Sequence, residues 1–274
     1  MLFDTVLSIF VFIVVIGIVV TIHELGHLIV ARWCGVHVEV FSFGFGRELV
    51  GFTDRHGTRW QIAPIPLGGY VSMPSEENSV SPRVADLWRH ALITIGGPAA
   101  NYVFAVAGFS VLYWLYGVTV PVPATVDQLM DALTTGKRIV EYPSILESVR
   151  LSVAETWNVT REMLDYLVNL VMARAPVDKL VGPVGIAHIS GQAVSQAGFM
   201  GFVRLTLLIS VALGFFNALP LPPLDGGRLV MYAIGWISNG RSKRFEMPYL
   251  LVGWVLMLGL FVVVTWNDVW RLFR

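Results

Sequence analysis

The chain alternates between long uncharged runs and short stretches where polarity returns. Four runs are long and apolar enough to cross about 30 Å of hydrocarbon as helices. They cover about residues 2–33, 91–116, 202–219 and 249–266. Between the first two, residues 38–73, "VEVFSFGFGRELVGFTDRHGTRWQIAPIPLGGYVSM", shift toward a period of two and are rich in glycine, which predicts short strands joined by tight turns. This β element is either a small cytoplasmic sheet or a hairpin dipping into the protein interior, where an edge strand can pair with an extended peptide. Before the third run, Met163, Leu164, Leu167, Leu170 and Val171 recur at helical spacing, with Arg161, Glu162, Asp165 and Asn169 on the other side. That pattern predicts an amphipathic helix near 157–174, lying on the membrane surface or packed on a small subdomain. The expected fold is an all-α polytopic membrane protein over residues 1–274. It has four transmembrane helices, a small membrane-associated β element after the first, and an amphipathic surface helix before the third.

Composition supports this reading. Hydrophobic residues make up 55% and charged residues 14%, against roughly 25% charged in soluble domains, and mean hydropathy is +0.67. Basic and acidic residues balance at 19 each, so charge gives no reason to expect a nucleic acid, and the bilayer is the first partner. A single cysteine, Cys34, rules out an intrachain disulfide and a cysteine metal cluster. With no basic leader or small-residue cleavage site, the first run reads as a retained span. Arg47, Arg55, Arg59, Arg83 and Arg89 in the first loop, and Arg228, Arg241, Lys243 and Arg244 in the third, place those loops in the cytoplasm. Both termini and the 117–200 loop are then extracytoplasmic.

Within the first apolar run stands "VVTIHELGHLIVA", Val19 to Ala31. His23 and His27 are one helical turn apart, so both imidazoles can reach one ion, and Glu24 beside them can take a proton from a water. Two imidazoles and a carboxylate suit zinc. The competing reading is that the histidines satisfy each other or the backbone inside a bundle. The carboxylate in the most suggestive setting is Asp225, in "NALPLPPLDGGR", where prolines stop the third run and two glycines follow. By the topology above it lies at the same depth as the histidines. Its competing role is to cap the following helix. His37, His56, His90 and His188 lie in loops, at span edges or on the other side, and are not expected to be ligands.

Together these pieces resemble the site-2 protease family of intramembrane zinc metalloproteases, most of all its bacterial regulator-of-sigma-E protease branch. The matching pieces are "HELGH" (23–27), "FGFGRE…IPLGGYVSM" (43–73), "GGPAANYVFA" (96–105), "GPVGIA" (182–187) and "NALPLPPLDGG" (217–227). The resemblance implies that His23, His27 and Asp225 bind one Zn2+ ion, that Glu24 is the general base, and that Asn217 positions the substrate strand or polarises its carbonyl. It also implies a bacterial inner-membrane location, an active site toward the cytoplasmic side, and single-span membrane proteins or signal peptides as substrates, held extended by the β element. One departure stands out. Members of this branch carry one or two PDZ domains between the second and third spans, and each needs roughly 80 to 100 residues. Residues 118–178 are too few, so no PDZ domain is expected, and a substrate-delivery partner would take its place. The competing functions are a non-proteolytic metal-binding protein, for which Glu24 would be superfluous, and a scaffold for transmembrane segments, which would be expected to have lost a ligand or the base.

Overall fold

The computed structural model describes residues 2–73, 86–119, 140–176, 180–239 and 243–272. Helix α1 (Leu2–Trp33) leads into four strands, β1 (Val40–Phe45), β2 (Val50–Thr53), β3 (Arg59–Ile62) and β4 (Ile65–Ser72). Helix α2 (Leu87–Tyr116) and two short strands, β5 (Val118–Thr119) and β6 (Val140–Glu141), precede α3 (Ile145–Val171). The chain then forms α4 (Pro183–Ala218), α5 (Asp225–Ile237) and α6 (Lys243–Leu272). Thr5–Trp33, Leu87–Tyr116, Pro183–Ala218 and Met247–Trp270 are long and apolar enough to cross a membrane. Their apolar side chains are largely exposed: on α6, Leu251, Trp254, Val255, Leu258 and Phe261 are all more than half accessible. A helix apolar all round with little protein against it is a lipid-facing helix. The chain is an integral membrane protein with the helical architecture expected from its sequence.

The membrane helices meet through small residues. Gly26 of α1 and Gly96 of α2 face each other so closely that a methyl on either would strike the other's carbonyl. Without a hydrophobic driving force in lipid, helices associate through such close backbone approach and through hydroxyl pairs. Helix α3 packs on α2 in the second way, with Ser152 Oγ 2.7 Å from Ser110 Oγ and Thr160 Oγ1 3.1 Å from the Tyr102 hydroxyl. Its buried positions are therefore Ser148, Ser152 and Thr156, not the leucine stripe that predicts the helix. Leu164 and Val171 stay exposed. The helix is also longer than 157–174, because hydroxyl residues that look surface-like in sequence form its contact face.

The third apolar run belongs to a helix that starts at Pro183 rather than near 202. Gly198, at φ 55°, ψ −136°, divides it into two arms, and only the second is apolar enough to be read as a span. The 117–200 loop therefore contains α3 and the first arm of α4, while residues 120–139 and 177–179, which fall in the same predicted loop, lie outside the described residues. The N-terminus of α4 is held from α6. Asp268, 3% exposed, accepts the backbone N–H groups of Gly182 (3.1 Å) and Gly185 (2.8 Å). A carboxylate there satisfies amides left unpaired at a helix start and complements its dipole.

The β element is a four-stranded sheet in the order β2-β3-β1-β4. Strand β1 runs parallel to β3 and antiparallel to β4. Phe41, Val36 and Val38 pack against Leu28 and Ala31 of α1 and Ile93 of α2. The β2–β3 turn is tied to the end of α1 by Asp54, which accepts hydrogen bonds from Trp60 Nε1 (2.9 Å), from Arg32, and from the backbone of His56 and Thr58 (2.9 and 3.1 Å). The sheet is thus fixed to the two helices that its own flanks connect.

Two outcomes follow from these ties. Asp268→Ala leaves two buried amides unpaired, at about 1–3 kcal/mol for such a group, and is expected to lower the melting temperature in detergent by several degrees. The Trp60 indole N–H, and then Arg32, hold the Asp54 carboxyl well below the usual carboxylate range. A depressed carboxyl contributes stability that is present above its unfolded pKa and lost as pH falls through the folded value. Asp54→Asn should therefore be less stable than the wild type near neutrality, and the gap should close as pH falls below about 4, read as melting temperature against pH.

Candidate metal centre

Three side chains from two distant parts of the chain, a histidine pair on α1 and Asp225 of α5, converge beside α2. His23 Nε2 lies 2.9 Å from Asp225 Oδ2, His27 Nε2 lies 3.4 Å from the same oxygen, and the two Nε2 atoms are 3.2 Å apart. His23 and His27 share a face of α1 by their one-turn spacing. Asp225 comes from the start of α5, because the proline cluster ends α4 and turns the chain back. The capping alternative for Asp225 is settled by contact: the residue before it, Leu224, is the N-cap, there is no side-chain cap bond, and the carboxylate is spent on the histidines.

The donor set fits a divalent metal. A tetrahedral ion with bonds of about 2.0–2.1 Å holds its donors roughly 3.3 Å apart, close to the three separations found. The histidine and carboxylate ligand atoms all lie within 4.8 Å of one another. His27 is already oriented for ligation: its Nδ1 donates to the Ile93 carbonyl at 2.7 Å, which leaves the Nε2 lone pair facing the group. Two glycines permit this contact. Gly26 and Gly96 let α1 and α2 touch. A Cβ at Gly97, one position on, would strike the ring nitrogens of both His23 and His27.

The group lies on the wall of a cavity of about 510 Å³ that is also lined by Glu24, Tyr70, Asn217, Arg228 and Tyr232. All five residues expected from the sequence are therefore brought together. Asn217 donates through Nδ2 to the Leu213 carbonyl of its own helix at 3.0 Å, with its amide at the cavity. Strand β4, an edge of its sheet, contributes Tyr70 and Val71, and Glu24 Cγ stands 3.7 Å from where a side chain on Gly69 would begin. His90, set aside as a ligand, is buried on the same wall with its ring 6.1 Å from that of Tyr232, outside the metal group. Sequence reasoning missed Asn101, which is fully buried beside His23, and the part played by Gly97. Both stand in "GGPAANYVFA", where a polar amide inside an apolar run was the available signal.

Fold and site define an integral membrane protein with a buried His-His-Asp centre and a carboxylate beside it. The profile of peptidase family M50 matches residues 11–260. Over 94% of both chains, the sequence is 31% identical to the Agrobacterium fabrum protein named "Putative zinc metalloprotease Atu1380". It is 28% identical, again over 94% of both, to "Metalloprotease MmpA" of Caulobacter vibrioides. The chain belongs to peptidase family M50, the site-2 protease family of zinc metalloproteases. The 358 aligned positions with the Agrobacterium protein exceed the 274 residues of this chain, so that relative carries residues this one lacks.

Gly97→Ala tests the construction of the centre. The methyl meets both imidazoles, and zinc affinity is expected to fall about tenfold or more, the scale on which disturbed ligand orientation acts. Gly108→Ala, on the same helix as Gly97 but away from the site, sets a methyl against Leu207 of α4 and should cost stability but leave zinc content unchanged. Zinc per protein by elemental analysis, with thermal melts alongside, separates the two effects.

Proposed function

We propose that the protein hydrolyses peptide bonds within or next to membrane-spanning segments of other proteins, with one zinc ion held by His23, His27 and Asp225. The observation that carries this reading is the convergence of those three donors on the same cavity wall as Glu24, beside an edge strand. Zinc held there supplies a Lewis acid that polarises a peptide carbonyl and makes a neighbouring water more acidic. Glu24 takes the proton from that water and returns it to the leaving amine, so one carboxylate serves as base and then as acid. Asn217 has a second N–H on its amide nitrogen, which can donate to the substrate carbonyl and fix the scissile unit.

The edge strand answers a constraint set by lipid. A helical peptide bond is shielded and internally hydrogen-bonded, and its groups cannot be left unpaired in hydrocarbon. An unwound substrate needs new partners, and β4 offers an open ladder edge next to Glu24. Substrates are single-span membrane proteins or retained signal peptides. The chain lies in a bacterial cytoplasmic membrane with both termini outside and the cavity toward the cytoplasm. Residues 118–178 are too few for a PDZ domain of roughly 80 to 100 residues, so in this reading substrate delivery falls to a partner protein.

The test is metal analysis of the detergent-purified protein together with cleavage of a model single-span substrate and a panel of signal peptides. Wild type and Glu24→Gln are both expected to carry about one zinc, and cleavage is expected to fall about 10²-fold or more in the variant. Zinc in both without cleavage of any substrate would favour a metal-binding role. Absence of zinc in both would defeat the reading.

A further inference from the structure

We propose that Asn101 is the positioning residue of the metal centre: its side-chain oxygen accepts the Nδ1 proton of His23 and so directs the Nε2 lone pair at the ion. The proposal rests on the ligand assignment above. A neutral imidazole carries one proton, and the nitrogen that binds metal must be the bare one. His27 meets this requirement through a backbone carbonyl, which can only accept. Among the described residues no such carbonyl bonds His23 Nδ1. Its Nδ1 lies 3.5 Å from the side-chain amide of Asn101, at the long end for a hydrogen bond.

Asn101 is fully buried, in the part of α2 that faces α1 and α4. Its backbone carbonyl accepts from Ser210 Oγ at 3.1 Å, which fixes the α2–α4 contact at this residue. Its side chain has a different allegiance. Nδ2 faces His23 Nδ1, and Oδ1 is buried with no hydrogen-bond partner among the described residues. An unpaired amide oxygen inside a membrane bundle is a cost that packing alone does not explain, since leucine fills the same space. A half-turn about Cβ–Cγ exchanges the two nearly isosteric ends of the amide. One end remains unpaired in either orientation, but only with the oxygen toward His23 can Nδ1 keep its proton and Nε2 offer its lone pair. Metal-binding histidines are commonly held in this way by a carbonyl or carboxylate.

The test compares Asn101→Leu and Asn101→Asp with the wild type in the purified full chain. Zinc affinity is measured by chelator competition, and the melting temperature is measured on the metal-stripped protein. Asn101→Leu keeps the volume and removes the acceptor, and its zinc affinity should fall 10- to 100-fold. Asn101→Asp keeps the acceptor and should bind zinc at least as tightly as wild type. Replacement of zinc by cobalt, whose visible absorption reports ligand geometry, should give matching spectra for wild type and Asn101→Asp and a perturbed one for Asn101→Leu. Equal affinity in all three proteins overturns the proposal and leaves the ligand set intact. Equal loss in both variants, tracking a fall in melting temperature, overturns it in favour of packing. If the leucine variant does not fold, the aspartate variant decides: weakened zinc binding overturns the proposal, and retained or tighter binding supports it. A wild type that binds no zinc removes the ligand assignment and this inference with it.

Discussion

The structure depends on the contact between α1 and α2 at Gly26 and Gly96. A helix with side chains on its contact face keeps its neighbour roughly 8–10 Å away between axes. Here two hydrogens replace two side chains, and the backbones close until a methyl would collide with a carbonyl. That approach brings Ile93 O within reach of His27 Nδ1 and Gly97 against both imidazole rings. The third glycine then keeps the rings from being pushed apart. Three glycines in two quoted motifs thus decide the position of two nitrogen atoms.

The second governing constraint is the treatment of polar groups in a low-dielectric surround. Many polar side chains inside the helix bundle are turned to an internal partner, while Asn101 Oδ1, Ser238 Oγ and Thr265 Oγ1 are buried with none among the described residues. Thr21, Ser190 and Thr206 bond back to carbonyls of their own helices. Ser152 and Thr160 pair across to α2, and Asp268 is matched to two amides. His23, His27 and Asp225 are matched to each other, which concentrates three metal-capable groups in one place. A chain that must bury ionisable groups in lipid does so economically when they share a function.

The spans, the β element and the three metal-capable residues were legible because each leaves a local mark. Apolar runs of about twenty residues, alternation with glycines, a one-turn histidine pair and an Asp behind a proline cluster can all be read without tertiary information. The start of α4 was not legible, because its first arm, with His188, Ser190, Gln192 and Ser195, is too polar to stand out as a span. The face of α3 was misleading for a related reason: its buried contacts use Ser and Thr, which sequence patterns assign to solvent, while Leu146, Trp157, Leu164 and Val171 are exposed and Leu167 and Leu170 only half-buried. Asn101 was missed because its partner is 78 positions away, and only the crossing of α1 and α2 brings them together.

The sheet is held by the same two helices that make the centre, and this links the strand edge to the metal-capable group. Phe41 and Val38 pack on Leu28, one residue beyond His27, and on Ile93, whose carbonyl holds that histidine. Asp54 fastens the far turn of the sheet to Arg32 at the end of the same helix. Strand β4 is the opposite edge of that sheet and also packs directly on α1, so its position beside Glu24 is fixed both by its pairing with β1 and by that contact. Geometry that must be accurate to a fraction of an ångström is better set on helices and sheets than on loops. Only Asp225 reaches the centre from a helix end, directly behind a turn, and that turn is itself braced by α6, where Gly253 abuts Pro222 and Tyr249 donates to the Gly227 carbonyl at 3.2 Å. The outermost helix therefore has a structural task at the innermost site.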